Sequence, residues 1–110
     1  MCTWGQMGGE TVYKALDEFS RQKCAFYLPM RNIEGSVPDF SECFIDESDL
    51  DVMRILRILK TNGFDRFLID DHVPQMTADT PRGHRGRAFS TGYLRGLYRG
   101  IEEAKRAMAR

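Results

Sequence analysis

Cys24-Ala-Phe-Tyr-Leu-Pro-Met30 is a short, continuous apolar run between a helical pattern and a long punctuated loop. Such a run is typical of a strand that is covered on both faces, as in a parallel sheet. Pro29 cannot donate a ladder hydrogen bond, so we place it at the carboxyl end of the strand. A second strand is predicted over residues 66–70, with Phe67-Leu68-Ile69 as its buried core. The two runs predict a parallel pair of strands.

Helical periodicity precedes each of these strands. Residues 8–22 carry apolar side chains, including Phe19, at three- and four-residue spacing. A second helix is predicted from an N-cap at Ser48, with acidic residues in its first turn, to a left-handed ending at Asn62-Gly63. Between the first strand and this helix, residues 31–47 lack periodicity, so we expect an ordered but irregular loop of functional importance.

The last predicted element is a helix over residues 87–108. It places a small residue at every fourth position, namely Ala88, Gly92, Gly96, Gly100 and Ala104. Interior glycines cost roughly 1 kcal/mol each relative to alanine. We therefore expect another part of the protein to approach this groove closely.

The element order helix, strand, helix, strand, helix indicates an α/β fold. Two strands are too few to form a sheet that three helices can cover. The chain is therefore interpreted as a slice of a larger α/β fold, or as a protomer that completes its sheet with a partner.

Composition excludes several classes of protein. The chain has 110 residues, and 16 Lys+Arg balance 16 Asp+Glu, which argues against a general nucleic-acid binder. No apolar run reaches the roughly 18 residues of a membrane span. The three cysteines, Cys2, Cys24 and Cys43, share no metal-binding spacing and indicate reduced thiols in a cytoplasmic protein.

Candidate functional residues follow the two strands, since parallel α/β folds work at the carboxyl ends of strands. Asp71-His72 follows the second strand, and a carboxylate beside an imidazole can ligate a metal or transfer a proton. The alternative is a loop cap with a surface histidine. Arg31 follows the first strand and can clamp a carboxylate, or form a salt bridge to a loop acid.

Two further features have open interpretations. The cluster Arg82-Gly83-His84-Arg85-Gly86-Arg87 is either an anion-binding turn near a helix start or a solvated basic turn. Cys2 is a soft metal ligand if neighbouring residues complete the shell, and otherwise a free thiol.

Several separated segments, in this order and spacing, resemble the C-terminal third of mannonate dehydratases. They are Thr3-Trp-Gly-Gln-Met-Gly8, Arg31-Asn-Ile-Glu-Gly-Ser-Val-Pro-Asp-Phe40, Phe44-Ile-Asp-Glu, Asp71-His-Val-Pro74 and Gly83-His-Arg-Gly-Arg-Ala-Phe89 through Gly92-Tyr-Leu94. The resemblance implies a partial (β/α)8 TIM barrel of the xylose isomerase type, of which residues 1–110 are the C-terminal αβαβα segment. It also implies a cytoplasmic lyase of hexuronate catabolism that uses Mn²⁺ or Fe²⁺ to dehydrate D-mannonate to 2-keto-3-deoxy-D-gluconate.

The same resemblance implies residue roles. Asp71 matches the metal-binding aspartate, His72 the adjacent catalytic histidine and Arg31 the arginine that contacts the sugar acid. We add His84 as a substrate-binding residue and Cys2 as a second metal ligand. Pro29 stands where the family has a metal-binding histidine.

Three functions therefore remain open at the level of sequence. The first is the lyase, which needs further parts of the barrel. The second is a non-catalytic remnant or interaction module, which folds as a homo-oligomer or with a partner. The third is a related sugar isomerase or epimerase, by analogy of fold.

Overall fold

The centre of the molecule is a parallel pair of strands. The computed structural model describes residues 2–47 and 49–110, with Cys2 and Thr3 described by their backbone. Strand β1 (Tyr27–Met30) pairs with β4 (Phe67–Asp70), in register from Tyr27 with Phe67 to Met30 with Asp70. This confirms the predicted pairing of the two apolar runs, with Pro29 near the carboxyl end of its strand.

The described residues form a small mixed α/β domain. Its other elements are α1 (Cys2–Gly5), α2 (Thr11–Arg21), β2 (Asn32–Ser36), β3 (Asp39–Cys43), α3 (Val52–Thr61) and α4 (His84–Met108). The segment over residues 3–8, which carries part of the resemblance, thus begins within the short helix α1. No helix among the described residues is long and apolar enough to cross a membrane. Cys24 is a free thiol, as predicted.

The core lies on one face of the parallel pair, between the sheet and the helices. The apolar stripes of α2 and α3 supply Leu16, Ile55 and Leu56, each of which is at most 1% exposed. Leu28 and Met30 of β1 point into the same cluster. Each fully buried side chain of this kind contributes roughly 1.5–3 kcal/mol, so this face holds the domain together.

The opposite face of the pair is bare, contrary to the prediction of strands covered on both faces. Tyr27 is 57% exposed and Phe67 is 72% exposed, and Ile69 is also exposed. Side chains alternate between the faces of a strand, and in the described part of the chain the helices cover one face alone. Phe67-Leu68-Ile69 is therefore not a buried core, and apolar composition alone did not reveal the missing cover.

The segment expected as an irregular loop contains a β-hairpin. β2 and β3 are antiparallel, with Asn32 opposite Cys43 and Ser36 opposite Asp39. Gly35 has φ +89°, and an added Cβ would lie 2.7 Å from the carbonyl oxygen of Asp39. A glycine is therefore required beside this turn.

Two helices begin elsewhere than predicted. The N-cap of α3 is Asp51, whose carboxylate accepts a 2.9 Å hydrogen bond from the Arg54 amide, whereas Ser48 lies outside the described residues. Helix α4 begins at His84 instead of Arg87, because Gly83 adopts a left-handed conformation with φ +66° immediately before it. His84 therefore lies on the first turn of a helix and not in the preceding loop.

The glycine groove of α4 is open. A Cβ added at Gly92, Gly96 or Gly100 would meet nothing within 4 Å. The expectation of a close approach to this groove is therefore wrong for the described residues.

Candidate functional site

The carboxyl ends of β1 and β4 bring two predicted residues together. The amide of Asp71 donates a 3.0 Å hydrogen bond to the carbonyl of Met30, which extends the parallel ladder by one step. Arg31 follows Met30, so its side chain begins beside that of Asp71. The site is therefore positioned by the register of the central strands.

The side chain of Arg31 is 8% exposed and faces two carboxylates. Its Nη1 donates to Oε1 of Glu42 at 2.5 Å, and its Nε lies 3.9 Å from Oδ2 of Asp71. This Nε is buried and has no hydrogen-bond partner among the described residues. The ring of Phe40 lies 5.8 Å from the guanidinium carbon. Arg31 is thus an internal cation that links the hairpin to the end of β4.

His72 contacts all three charged groups. Its Nδ1 lies 2.6 Å from Oε1 of Glu42 and 3.2 Å from Nη1 of Arg31, and its Nε2 lies 3.7 Å from Oδ1 of Asp71. The side chain is 59% exposed, so a ligand can reach the ring. His72 is thus an exposed histidine that contacts three charged side chains, and its catalytic role stays a prediction.

The imidazole faces a cleft of about 420 Å³. The opposite side of the cleft is formed by the basic cluster before and within the first turn of α4, including Arg82, His84 and Arg87. Arg87 forms an ion pair with Asp70, in which Nη1 donates to the carboxylate at 2.8 Å. Arg82 and His84 are exposed and make no side-chain ion pair among the described residues. The predicted anion-binding turn thus lies beside the predicted catalytic histidine.

Asp70 has a structural role. Its carboxylate lies 2.8 Å from Arg87 and 3.4 Å from the Thr91 hydroxyl, both on α4. These contacts attach the start of α4 to the end of β4. They also leave Asp71 as the carboxylate of this strand end that faces Arg31 and His72.

The groups with shifted pKa values lie outside the group formed by Arg31, Glu42, Asp71 and His72. The Arg85 amide lowers the pKa of Asp79 more than burial raises it, and the Gly86 and Thr80 amides lower it further. Hydrogen bonds to Glu102 and Tyr98 raise the pKa of Lys60, and Lys60 in turn lowers that of Glu102. The Asp79 carboxylate therefore stabilises the helix that carries His84, whereas the Lys60 pair joins α3 to α4.

Of the two predicted metal ligands, Asp71 and Cys2, the structure describes the side chain of Asp71 alone. Asp71 offers one carboxylate, and the side chain of Cys2 lies outside what the structure describes. Among the described residues, no group of three or more His, Cys, Asp or Glu side chains could hold a metal ion. Arg31 occupies the space between the carboxylates of Glu42 and Asp71, where a cation would otherwise fit.

Sequence reasoning missed Glu42. It lies on β3, on the same face as Phe40, and both contact Arg31. The available signal was the pair of turn residues Gly35 and Pro38 between two short segments, which is typical of a hairpin. Without the hairpin, residue 42 had no predicted position near residues 31 and 72.

Comparison with known proteins finds similar sequences, among them two mannonate dehydratases. The chain is 30% identical over 102 residues to a mannonate dehydratase of Lactococcus lactis subsp. cremoris, and 29% identical over 100 residues to that of Lactococcus lactis subsp. lactis. These alignments cover 86% and 84% of this chain. The chain spans 28% of the length of each relative. No family model matches the sequence. No solved structure matches it either.

Proposed function

We propose that this chain carries the acid–base end of a hydro-lyase site that acts on a sugar acid. D-mannonate is the proposed substrate and 2-keto-3-deoxy-D-gluconate the proposed product. The similarity to two mannonate dehydratases supports the reaction class. The observation that carries the proposal is the convergence of Arg31, Asp71 and His72 where β1 and β4 end.

His72 is the proposed acid–base catalyst. Dehydration of a 2,3-dihydroxy acid removes the proton α to the carboxylate and expels the adjacent hydroxyl as water, and the resulting enol becomes the 2-keto acid. An exposed imidazole beside a cleft is suited to the proton transfer. We assign the substrate carboxylate to His84 and Arg82 across the cleft. We assign a further contact with the sugar acid to Arg31, as the resemblance implies.

A divalent ion is the expected cofactor of this chemistry, and the described residues do not fit one. Mn²⁺ and Fe²⁺ need several oxygen and nitrogen ligands, whereas Asp71 supplies one carboxylate. Binding of Mn²⁺ or Fe²⁺ is therefore proposed only together with ligands from outside the described residues. The side-chain roles given above do not depend on it.

The same proposal includes the fold of the complete site and its metabolic role. A sector of a (β/α)8 barrel accounts for the parallel pair and for a site at its carboxyl end. The bare sheet face and the open edges of the two strands then accommodate the remaining strands, in the same molecule or in a homo-oligomer. A cytoplasmic place in hexuronate catabolism is part of this proposal, and the free thiol of Cys24 is consistent with it.

The test is formation of a 2-keto-3-deoxy acid from D-mannonate in the presence of Mn²⁺. We expect product with the wild-type chain and a loss of about 10²-fold or more in His72→Gln, since a positioned acid–base group contributes roughly 10²–10⁴-fold. His84→Gln is the matched control, because it removes the other imidazole and is expected to weaken binding of substrate more than turnover. Equal rates in wild type and His72→Gln would refute the proposal. An epimer or a ketose as product would indicate an isomerase instead.

The bare sheet face supports a second candidate, a non-catalytic interaction module. Phe26, Tyr27 and Phe67 are all more than half exposed. Beside the edge of β4 lies a cavity of about 660 Å³, partly lined by Leu56, Phe64 and Leu94. Exposed apolar surface of this kind is typical of a contact with another polypeptide. This candidate predicts concentration-dependent self-association that Phe67→Ser abolishes, together with no turnover of D-mannonate.

A further inference from the structure

We infer that Glu42 is a positioning residue that fixes the His72 ring with its proton on Nδ1, so that Nε2 is the nitrogen left to exchange protons with a substrate. The inference rests on the proposed function, because it concerns the same imidazole. The geometry that carries it is nevertheless independent of any reaction. The geometry in question is the pair of contacts that the Nδ1 atom of His72 makes with Glu42 and Arg31.

The Nδ1 atom of His72 has two polar neighbours, of which one requires a proton on Nδ1 and the other a lone pair. Oε1 of Glu42, at 2.6 Å, can only accept a hydrogen bond when the carboxylate is ionised, whereas Nη1 of Arg31, at 3.2 Å, can only donate one. Nδ1 cannot satisfy both, since it either carries a proton or presents a lone pair. The two contacts therefore require different tautomers of His72.

The distances favour the carboxylate. A separation of 2.6 Å is that of a charge-assisted hydrogen bond, and two acceptors at that distance would repel each other. Arg31 keeps a hydrogen-bond acceptor in this arrangement, because its Nη1 donates to the same Oε1 atom at 2.5 Å. Glu42 Oε1 is thus the shared acceptor of Arg31 and His72.

The burial of Arg31 makes Glu42 a defined orienting group. With its side chain 8% exposed, the guanidinium is held in place and in turn fixes the carboxylate that accepts from it. Phe40, two residues before Glu42 on the same face of β3, packs against the guanidinium. The hairpin therefore presents one carboxylate oxygen to Nδ1, much as an acidic residue orients histidine in other acid–base sites.

The test is a nitrogen-15 NMR measurement of the His72 ring, which distinguishes a protonated ring nitrogen from one with a lone pair. It is made in the full chain at a pH well above the ordinary imidazole pKa of about 6.5. The chain has two histidines, so His84→Gln assigns the signals. We expect Nδ1 of His72 to be the protonated nitrogen and Nε2 to carry the lone pair. A lone pair on Nδ1 in the wild-type chain would overturn the inference, since Arg31 would then be the partner.

Variants separate orientation from general stability. Glu42→Ala removes the acceptor, and we expect the His72 proton to move to Nε2, the nitrogen that an unconstrained imidazole favours in water. Glu42→Gln keeps a carbonyl acceptor in the same place and is expected to restore most of the Nδ1-protonated form. Glu34→Ala is the matched control, because Glu34 is an exposed acid on the same hairpin. A wild-type tautomer that persists in Glu42→Ala would also overturn the inference.

The readout is independent of catalysis. If D-mannonate is not a substrate, the proposed function fails while the ring of His72 still reports on Glu42. If the ring is protonated on Nε2 and turnover persists, the positioning role fails while the proposed function stands. If Glu42→Ala fails to fold, the wild-type tautomer alone still decides the inference.

Discussion

The Nη1 atom of Arg31 and the Oε1 atom of Glu42 are 2.5 Å apart and belong to different parts of the fold. Arg31 follows a strand of the parallel pair, whereas Glu42 lies in the antiparallel hairpin. This ion pair connects β3, the second strand of the hairpin, to the carboxyl end of the parallel pair. It organises both the local fold and the candidate site.

The Arg31–Glu42 pair is expected to be strongly coupled. A double-mutant cycle with Arg31→Met and Glu42→Gln should give a coupling free energy of about 1–3 kcal/mol in denaturant unfolding, because the guanidinium is desolvated. The exposed pair Arg54 and Glu10, measured with Arg54→Met and Glu10→Gln, is the matched control and should couple less, since solvent screens it. Coupling no greater than that of the control would contradict this account of the hairpin.

Asn32 fastens the hairpin to the start of α3. Its amide donates to the carbonyls of Ile45 and Leu50 at 3.1 Å, and its oxygen accepts from the amides of Ile33 and Leu50. Asn32→Ala removes these four hydrogen bonds, so we expect a loss of about 3 kcal/mol in the free energy of unfolding.

The control for Asn32→Ala is Gln75→Ala, which truncates an exposed amide at the cleft and should change stability by less than about 0.5 kcal/mol. Similar stabilities for these two variants would show that Asn32 does not hold the hairpin.

The N-terminus of α4 should depend on pH through Asp79. Hydrogen bonds from the Arg85 amide, and then from Gly86 and Thr80, hold its pKa below the ordinary value of 3.8. The stabilisation is therefore present above the unfolded-state pKa and is lost as the pH falls through the lower folded-state value. We expect the Arg85 and Gly86 amides to exchange with solvent faster in Asp79→Asn at neutral pH, and the difference from wild type to vanish in strong acid.

Asp46→Asn, at an exposed acid in the turn before α3, is the control for the Asp79 experiment and should leave those two amides unchanged. Equal exchange in Asp79→Asn and wild type at neutral pH would argue against this capping interaction.

Two glycines of α4 should respond to alanine in opposite directions. Gly96→Ala enters open space in the middle of a helix, so we expect stabilisation of about 1 kcal/mol. Gly86→Ala brings a Cβ within 3.0 Å of the Val73 side chain and should destabilise. Thermal unfolding of both variants measures this contrast. Destabilisation by Gly96→Ala would indicate that the groove is covered in solution.

The apolar patterns of the sequence predicted the parallel pair and the helices well, because a buried face requires apolar residues at a spacing that depends on the type of element. Val12 and Leu16 in α2 and Ile55 and Leu56 in α3 are core residues. Phe19, which the spacing placed on the same stripe as Leu16, is 42% exposed. The bare face of Phe67 and Tyr27 was not predictable in the same way, since a strand that is covered on both faces has the same apolar composition. Short strands such as β3 also alternate over too few residues to give a clear period.

The site was predictable in part. The position of Asp71-His72 after a strand follows from the α/β pattern, and the structure places Arg31 beside Asp71. His84 lies on the same cleft as His72, although its helix begins earlier than predicted. The contact of Glu42 with His72 spans 30 positions of the chain and depends on a hairpin that the periodicity did not reveal. The metal-binding roles of Asp71 and Cys2 stay predictions.

The central claim is that His72, at the end of β4, removes the proton α to the carboxylate of a sugar acid. The most direct measurement is exchange of that hydrogen of D-mannonate with solvent deuterium, followed by proton NMR in D₂O with added Mn²⁺. Wild type should exchange it, and His72→Gln should slow the exchange by about 10²-fold or more. No exchange above the level of His72→Gln would contradict the claim.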